Sequence, residues 1–124
     1  MAHYLLRIVD RFEASHRLTS YKGAPEPVHG HSWRVEVVLR AEALDDEGMG
    51  FDFIEARAAL SALIDRVDHS DLNATPPFDA ISPTTEHIAR WFCETLQADL
   101  PQVRVVEATV WEGPHASATY VADG

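Results

Sequence analysis

Hydrophobic and polar residues alternate most cleanly between His29 and Arg40. His29, His31, Trp33, Val35, Val37 and Leu39 fall on one side of a strand, and Gly30, Ser32, Arg34, Glu36, Val38 and Arg40 on the other. Two histidines thus head the core-facing row, where an imidazole loses hydration unless something pairs with it. Upstream, Tyr4 to about Ser15 reads as a first strand, with Leu5-Leu6 and Ile8-Val9 predicting partial burial on both faces or a bulge. A loop broken by Gly23, Pro25 and Pro27 separates the two strands.

After a turn at Asp45-Asp46-Glu47-Gly48 the period becomes helical. Phe53, Ala56, Leu60, Leu63, Ile64 and Val67 form an apolar stripe, with Asp52 as N-cap and Glu55 three residues on. Asn73 to Phe78, containing Pro76-Pro77, reads as a loop. A second helix is predicted from a Ser82 cap with Pro83 at its first position, carrying Ile88, Trp91, Phe92 and Leu96 on one face. Beyond Pro101, two strands, about Val103–Trp111 and His115–Val121, are joined by a turn at Gly113-Pro114. The order ββααββ predicts an α+β fold, a four-stranded antiparallel sheet with two helices on one face. So small a sheet leaves edges exposed, which favours a homo-oligomer built by edge pairing.

Composition narrows the function classes. The 124 residues fit one domain spanning 1–124, and 46% hydrophobic with 24% charged residues is a globular balance, not that of a disordered chain. A formal net charge of −10 argues against a nucleic-acid partner. The single cysteine, Cys93, makes no internal disulfide and no Cys-based metal motif; placed between Trp91-Phe92 and Leu96, it reads as a core or boundary thiol. The N-terminus lacks a signal pattern and no run approaches 18 apolar residues, so a cytoplasmic protein with no membrane partner is expected.

The chemistry concentrates in histidine. His29-Gly30-His31 puts two imidazoles on one side of a strand, about 6.5–7 Å apart along the backbone, within reach of one metal ion. His16, at the end of the preceding strand, comes beside them if the strands pair antiparallel. Three histidines leave a fourth position open, which suits a catalytic Zn²⁺ rather than a structural one.

The residues then resemble a known family. Phe12-Glu13-Ala14-Ser15-His16 is similar to the Phe-x-Ala-x-His segment of the 6-pyruvoyl-tetrahydropterin synthase family, and His29-Gly30-His31 to its second metal motif. Asp68-His69-x-x-Leu72-Asn73 resembles its Asp-His-x-x-Leu-Asn. Pro83-Thr84-Thr85-Glu86 resembles the start of its second helix, and Glu112 falls where the family keeps a late pterin-binding glutamate. These matches run in family order over essentially the whole chain.

The resemblance implies the tunnelling fold, assembly into trimers or hexamers with active sites at subunit boundaries, and action on 7,8-dihydroneopterin triphosphate. It implies that His16, His29 and His31 bind zinc, that Asp68 and His69 form a proton-handling dyad, and that Thr84, Thr85 and Glu112 contact the pterin. Without the family, Asp68-His69 also reads as a helix C-terminal turn, Thr84 and Thr85 as helix caps, and Glu112 as a solvated residue before a turn.

One departure matters. The familiar synthases carry a catalytic cysteine four residues before His-Gly-His, where this chain has Pro25, so Glu26 becomes the candidate base, against a reading as an exposed loop residue. Some family members carry a glutamate in the cysteine's place and are associated with cleaving the dihydroneopterin side chain to 6-hydroxymethyl-dihydropterin. By overall length the resemblance favours a zinc-dependent lyase of the 6-carboxy-tetrahydropterin synthase kind, leading to queuosine and other deazapurines. The alternatives are the 6-pyruvoyl product, the glutamate-dependent hydroxymethyl product, and a homologue that binds a pterin or purine without converting it. Arg17, Lys22 and Arg34 are the nearest cations in sequence, and none is assignable to the triphosphate.

Overall fold

A computed structural model describes residues 2–123. Its elements are β1 (Tyr4–His16), β2 (His29–Ala41), α1 (Phe53–Val67), β3 (Ser70–Asp71), α2 (Thr85–Asp99), β4 (Arg104–Glu112) and β5 (Ala116–Val121). The strands form one sheet in the order β3-β1-β2-β4-β5. All neighbours are antiparallel except β3, which runs parallel to β1 beside Ala14 and Ser15. The architecture is the expected α+β one with a fifth strand added. At two residues β3 is too short to leave an alternation in sequence.

The β1–β2 pairing carries the site. It runs without a slip from Tyr4 opposite Ala41, through Phe12 opposite Trp33, to His16 opposite His29. The bulge expected in β1 is absent; the irregularity lies between β2 and β4, where Val38 pairs with Glu107 but Leu39 with Val105. Nor is β1 buried on both faces. Ile8, Phe12 and Ala14 are buried under the helices, whereas Leu5 (58%) and Val9 (42%) are exposed on the helix-free side. The doublets Leu5-Leu6 and Ile8-Val9 therefore combine residues of two faces, only one of which the helices cover.

Both helices pack on that face. Ala56, Leu60, Leu63, Ile64 and Val67 of α1, and Ile88, Ala89, Phe92, Cys93 and Leu96 of α2, are buried against the sheet. Phe12 stacks on Trp33 with ring centroids 5.8 Å apart and meets Phe92 at the same distance. Phe53, expected in the stripe, is half exposed because it opens the first turn of α1, before the helix reaches the sheet. Trp91 is only partly buried; it packs at the rim of the core against Phe78 and beneath the Arg66 guanidinium. Cys93 is buried, and desolvation pushes its thiol up to about 11, so the thiolate is scarce near neutral pH. No helix among the described residues is long and apolar enough to cross a membrane.

The helix caps are resolved differently from expectation at one end. Asp52 caps α1, accepting from the Ile54 amide at 2.8 Å. For α2 the N-cap is Thr84, not Ser82: the Thr84 hydroxyl accepts from the His87 amide at 3.1 Å. Ser82 is already engaged, its hydroxyl accepting from the Thr19 amide, and Pro83 lies outside the helix. Thr84→Ala is expected to lower unfolding stability by about 1 kcal/mol, and Ser82→Ala by less, as read by urea denaturation. Between α1 and α2, the stretch read as a loop includes a 3₁₀ turn over Leu72–Ala74, anchored by buried Leu72 and Phe78.

Candidate metal centre

Period-2 alternation and the strand register together build one cluster. His16 and His29 face each other across β1 and β2, His31 follows two residues along β2, and Trp33 beyond it pairs with Glu112 at the end of β4. All four polar side chains therefore emerge at one end of the helix-covered face. One potential ligand atom from each of His16, His29, His31 and Glu112 lies within 4.8 Å of all the others. The hydrophobic floor is Trp33, whose ring stands edge-on to His16 and His31 at 4.8 and 5.3 Å.

The tautomers follow from the hydrogen bonds. His16 Nδ1 lies 2.8 Å from the Pro83 carbonyl and His29 Nδ1 lies 3.0 Å from the Pro27 carbonyl. A carbonyl only accepts, so both Nδ1 atoms carry the hydrogen, and in the neutral rings both Nε2 atoms present lone pairs. Those two Nε2 atoms stand 3.0 Å apart. Two lone pairs at that distance repel unless a cation lies between or beside them. His31 Nε2 is shut from solvent, and the polar atom facing it is Glu112 Oε1 at 2.7 Å. Burial holds the His31 pKa below its ordinary value, partly opposed by the Glu112 charge and reinforced by the neighbouring His29 and His16. A neutral imidazole is the ligating form. The donor set fits a divalent cation.

The remaining expected residues divide. Glu26 is not a freely exposed loop residue: its side chain is 18% exposed, its Oε1 accepts from the Leu18 amide at 2.9 Å and lies 3.8 Å from His29 Nε2. The return of the chain is fixed by the Glu26 amide bonding the Leu18 carbonyl and by a Tyr21–Ala24 bridge. Thr85 lies in the site, donating to Glu112 Oε2 at 2.8 Å, whereas the Thr84 hydroxyl is engaged in capping α2.

Asp68 and His69 lie at the β1 edge instead. Asp68 ends α1, its Oδ1 accepts from the Glu13 amide at 2.9 Å, and His69 Nδ1 stands 3.0 Å away. The His69 amide in turn donates to the Glu13 carbonyl, with φ at +55°, and its ring is largely exposed. Among the described residues no hydrogen bond or ion pair joins this pair to the histidine cluster.

The Glu13 amide, and secondarily His69, hold the Asp68 pKa below its ordinary value. A depressed folded-state pKa contributes stability that is present above the unfolded value, about 4, and is lost as pH falls through the folded one. Asp68→Asn is therefore expected to flatten the acid limb of thermal stability, compared by melting curves at neutral and acidic pH. The carbonyls of Pro27 and Pro83 went unanticipated, since a backbone acceptor has no residue signature in sequence.

Comparison with known proteins follows the same outline. The family model described as 6-pyruvoyl tetrahydropterin synthase matches residues 6–123. The chain is 32% identical over 110 residues to a dihydroneopterin monophosphate aldolase of Pyrococcus furiosus, covering 86% of this chain and 90% of the relative. It is 31% identical over 150 aligned positions to a 6-carboxy-5,6,7,8-tetrahydropterin synthase of Aquifex aeolicus, covering 89% and 93%. Among solved structures, the 6-pyruvoyl tetrahydropterin synthase of Caenorhabditis elegans superposes with a TM-score of 0.86 at 28% identity, covering 99% of this chain and 98% of the other.

Proposed function

Because the chain belongs to the 6-pyruvoyl tetrahydropterin synthase family, a family of pterin-processing lyases, we propose that it cleaves the side chain of a phosphorylated 7,8-dihydroneopterin with Glu26 as base. The observation that carries this reading is the carboxylate of Glu26, fixed by the Leu18 amide 3.8 Å from His29 Nε2, in a chain whose single thiol is buried in α2. The aldolase relative supports it. This departs from the 6-carboxy product favoured by sequence length, because the candidate base beside the histidines is a carboxylate rather than a thiol.

The chemistry balances as a retro-aldol step. Glu26 takes the proton of the side-chain C2′ hydroxyl, the C2′–O bond becomes a carbonyl, and the C1′–C2′ bond breaks. Its electron pair passes to C1′, conjugated with the N5=C6 imine of the dihydropterin, and C1′ is then protonated. The products are 6-hydroxymethyl-7,8-dihydropterin and glycolaldehyde still carrying the phosphate. Zinc, held by His16, His29 and His31, would supply Lewis-acid polarisation of the side-chain oxygens. The chain's own residues hold the geometry: the Pro83 and Pro27 carbonyls fix two imidazoles, and the Leu18 amide aims the base.

Asp68 and His69 project from the β1 edge, and in this reading they serve the site of an adjoining copy as proton donor, the carboxylate stabilising the imidazolium. Among the described residues the β1 edge is unpaired from Tyr4 to Phe12 and the outer edge of β5 along its length, and a homotrimer or hexamer closes both. Thr85 and Glu112 face the pterin in the substrate complex, while the Thr84 hydroxyl caps α2; the carboxylate presents two acceptors to the adjacent amino and ring N–H donors.

A hydrazine trap of the released aldehyde tests the reaction. Phosphorylated glycolaldehyde in one-to-one ratio with pterin consumed is expected; substrate consumption without it overturns the retro-aldol reading. The second reading, 6-carboxy-tetrahydropterin synthase chemistry, rests on the Aquifex aeolicus relative and gives a heavier pterin product.

A further inference from the structure

We infer that Glu112 closes the metal site before substrate arrives, acting as a fourth, displaceable protein ligand beside His16, His29 and His31. The inference rests on the metal reading above and adds a coordination state to it.

A tetrahedral ion with bonds near 2.0–2.1 Å sets its donor atoms about 3.3 Å from one another. His16 and His29 Nε2 are 3.0 Å apart, and Glu112 Oε1 lies 2.7, 3.7 and 3.8 Å from the Nε2 atoms of His31, His16 and His29. These separations straddle the tetrahedral edge, so Oε1 occupies the vertex that three histidines alone leave to water. The carboxylate is not placed there by chance collapse of an exposed chain. The Trp33–Glu112 pairing puts it on the cluster's face, and the Thr85 hydroxyl grips Oε2 at 2.8 Å. Both oxygens are thus committed while the site is at rest. Accepting hydrogen bonds from a pterin requires their release, which the substrate's hydroxyls bring about by taking the vertex. One carboxylate then serves two exclusive duties, and metal-bound water is kept from forming in the empty enzyme.

Cobalt(II) in place of zinc reports the coordination directly. In a three-histidine site with bound water the visible bands titrate with that water near pH 7. The substrate-free wild-type protein is expected to show bands independent of pH between about 6 and 9, shifting on addition of 7,8-dihydroneopterin. Glu112→Gln keeps the shape but gives up the charge. It should acquire the titration and bind cobalt at least tenfold more weakly in competition with a chromophoric chelator.

A wild-type spectrum that titrates like the variant's, or equal affinities in the two proteins, overturns the fourth-ligand assignment and leaves the three-histidine site standing. A folded wild-type protein that binds no cobalt overturns both. The wild-type spectrum needs no variant, so the test survives if Glu112→Gln fails to fold.

Discussion

Glu26→Gln is expected to lower kcat for pterin cleavage by about 10²–10⁴-fold while metal content stays at the wild-type level. Glutamine is close to isosteric, and its side-chain oxygen still accepts from the Leu18 amide, so the loop that returns the chain from Leu18 to Glu26 keeps its anchor. What is lost is a group that can take a proton. Glu26 Oε1 stands 3.8 Å from His29 Nε2, too far for a hydrogen bond that would support that ring, which the Pro27 carbonyl already orients. Loss of metal together with activity would make Glu26 a structural neighbour. Undiminished turnover with full metal would remove it from the chemistry. Cys93→Ala gives the complementary control: the thiol is buried and its pKa raised, so turnover should persist.

The second large effect concerns metal and stability together. Without a cation, His16 and His29 hold lone pairs 3.0 Å apart, and His31 Nε2 is shut from solvent with its own lone-pair neighbour Glu112 Oε1 at 2.7 Å. An ion that binds only the folded chain relieves both and stabilises by linkage. At a free concentration about a thousandfold above Kd, that amounts to about 4 kcal/mol. For a domain of this size the melting temperature should rise by on the order of 10 °C when zinc is restored after chelation. His31→Ala should abolish the rise, as read by differential scanning calorimetry with and without zinc. A zinc-independent melting temperature in the wild-type protein would mean the four side chains do not form a metal centre.

How far the sequence reaches is clearest along β2. The alternation from His29 to Leu39 specifies which face is buried, and period 2 alone places His29 and His31 on one side. The β1–β2 register delivers His16 to them. Glu112 was legible as a candidate residue but not as a neighbour of the histidines, since its place opposite Trp33 depends on a β2–β4 register that shifts at Val38/Leu39. Such a bulge has no signature in the alternating run. The position of Glu26 likewise depends on backbone bonds of its own loop rather than on residue spacing. The α2 cap moved from Ser82 to Thr84 because the Ser82 hydroxyl is drawn to Thr19, a tertiary contact that local propensity does not see. Leu5 and Val9 misled for a simpler reason: hydrophobicity marks residues of both faces of a sheet that helices cover on one side only.

The most direct test of the central claim is the mass of the pterin product. Zinc-loaded protein would be incubated in D₂O with the mono- and triphosphates of 7,8-dihydroneopterin, and the products analysed by mass spectrometry. Cleavage between C1′ and C2′ predicts 6-hydroxymethyl-7,8-dihydropterin with one deuterium fixed at C1′, formed at least about a hundredfold more slowly by the Glu26→Gln protein. A 6-carboxy or 6-pyruvoyl tetrahydropterin, or intact substrate in a folded, zinc-loaded sample, would contradict it.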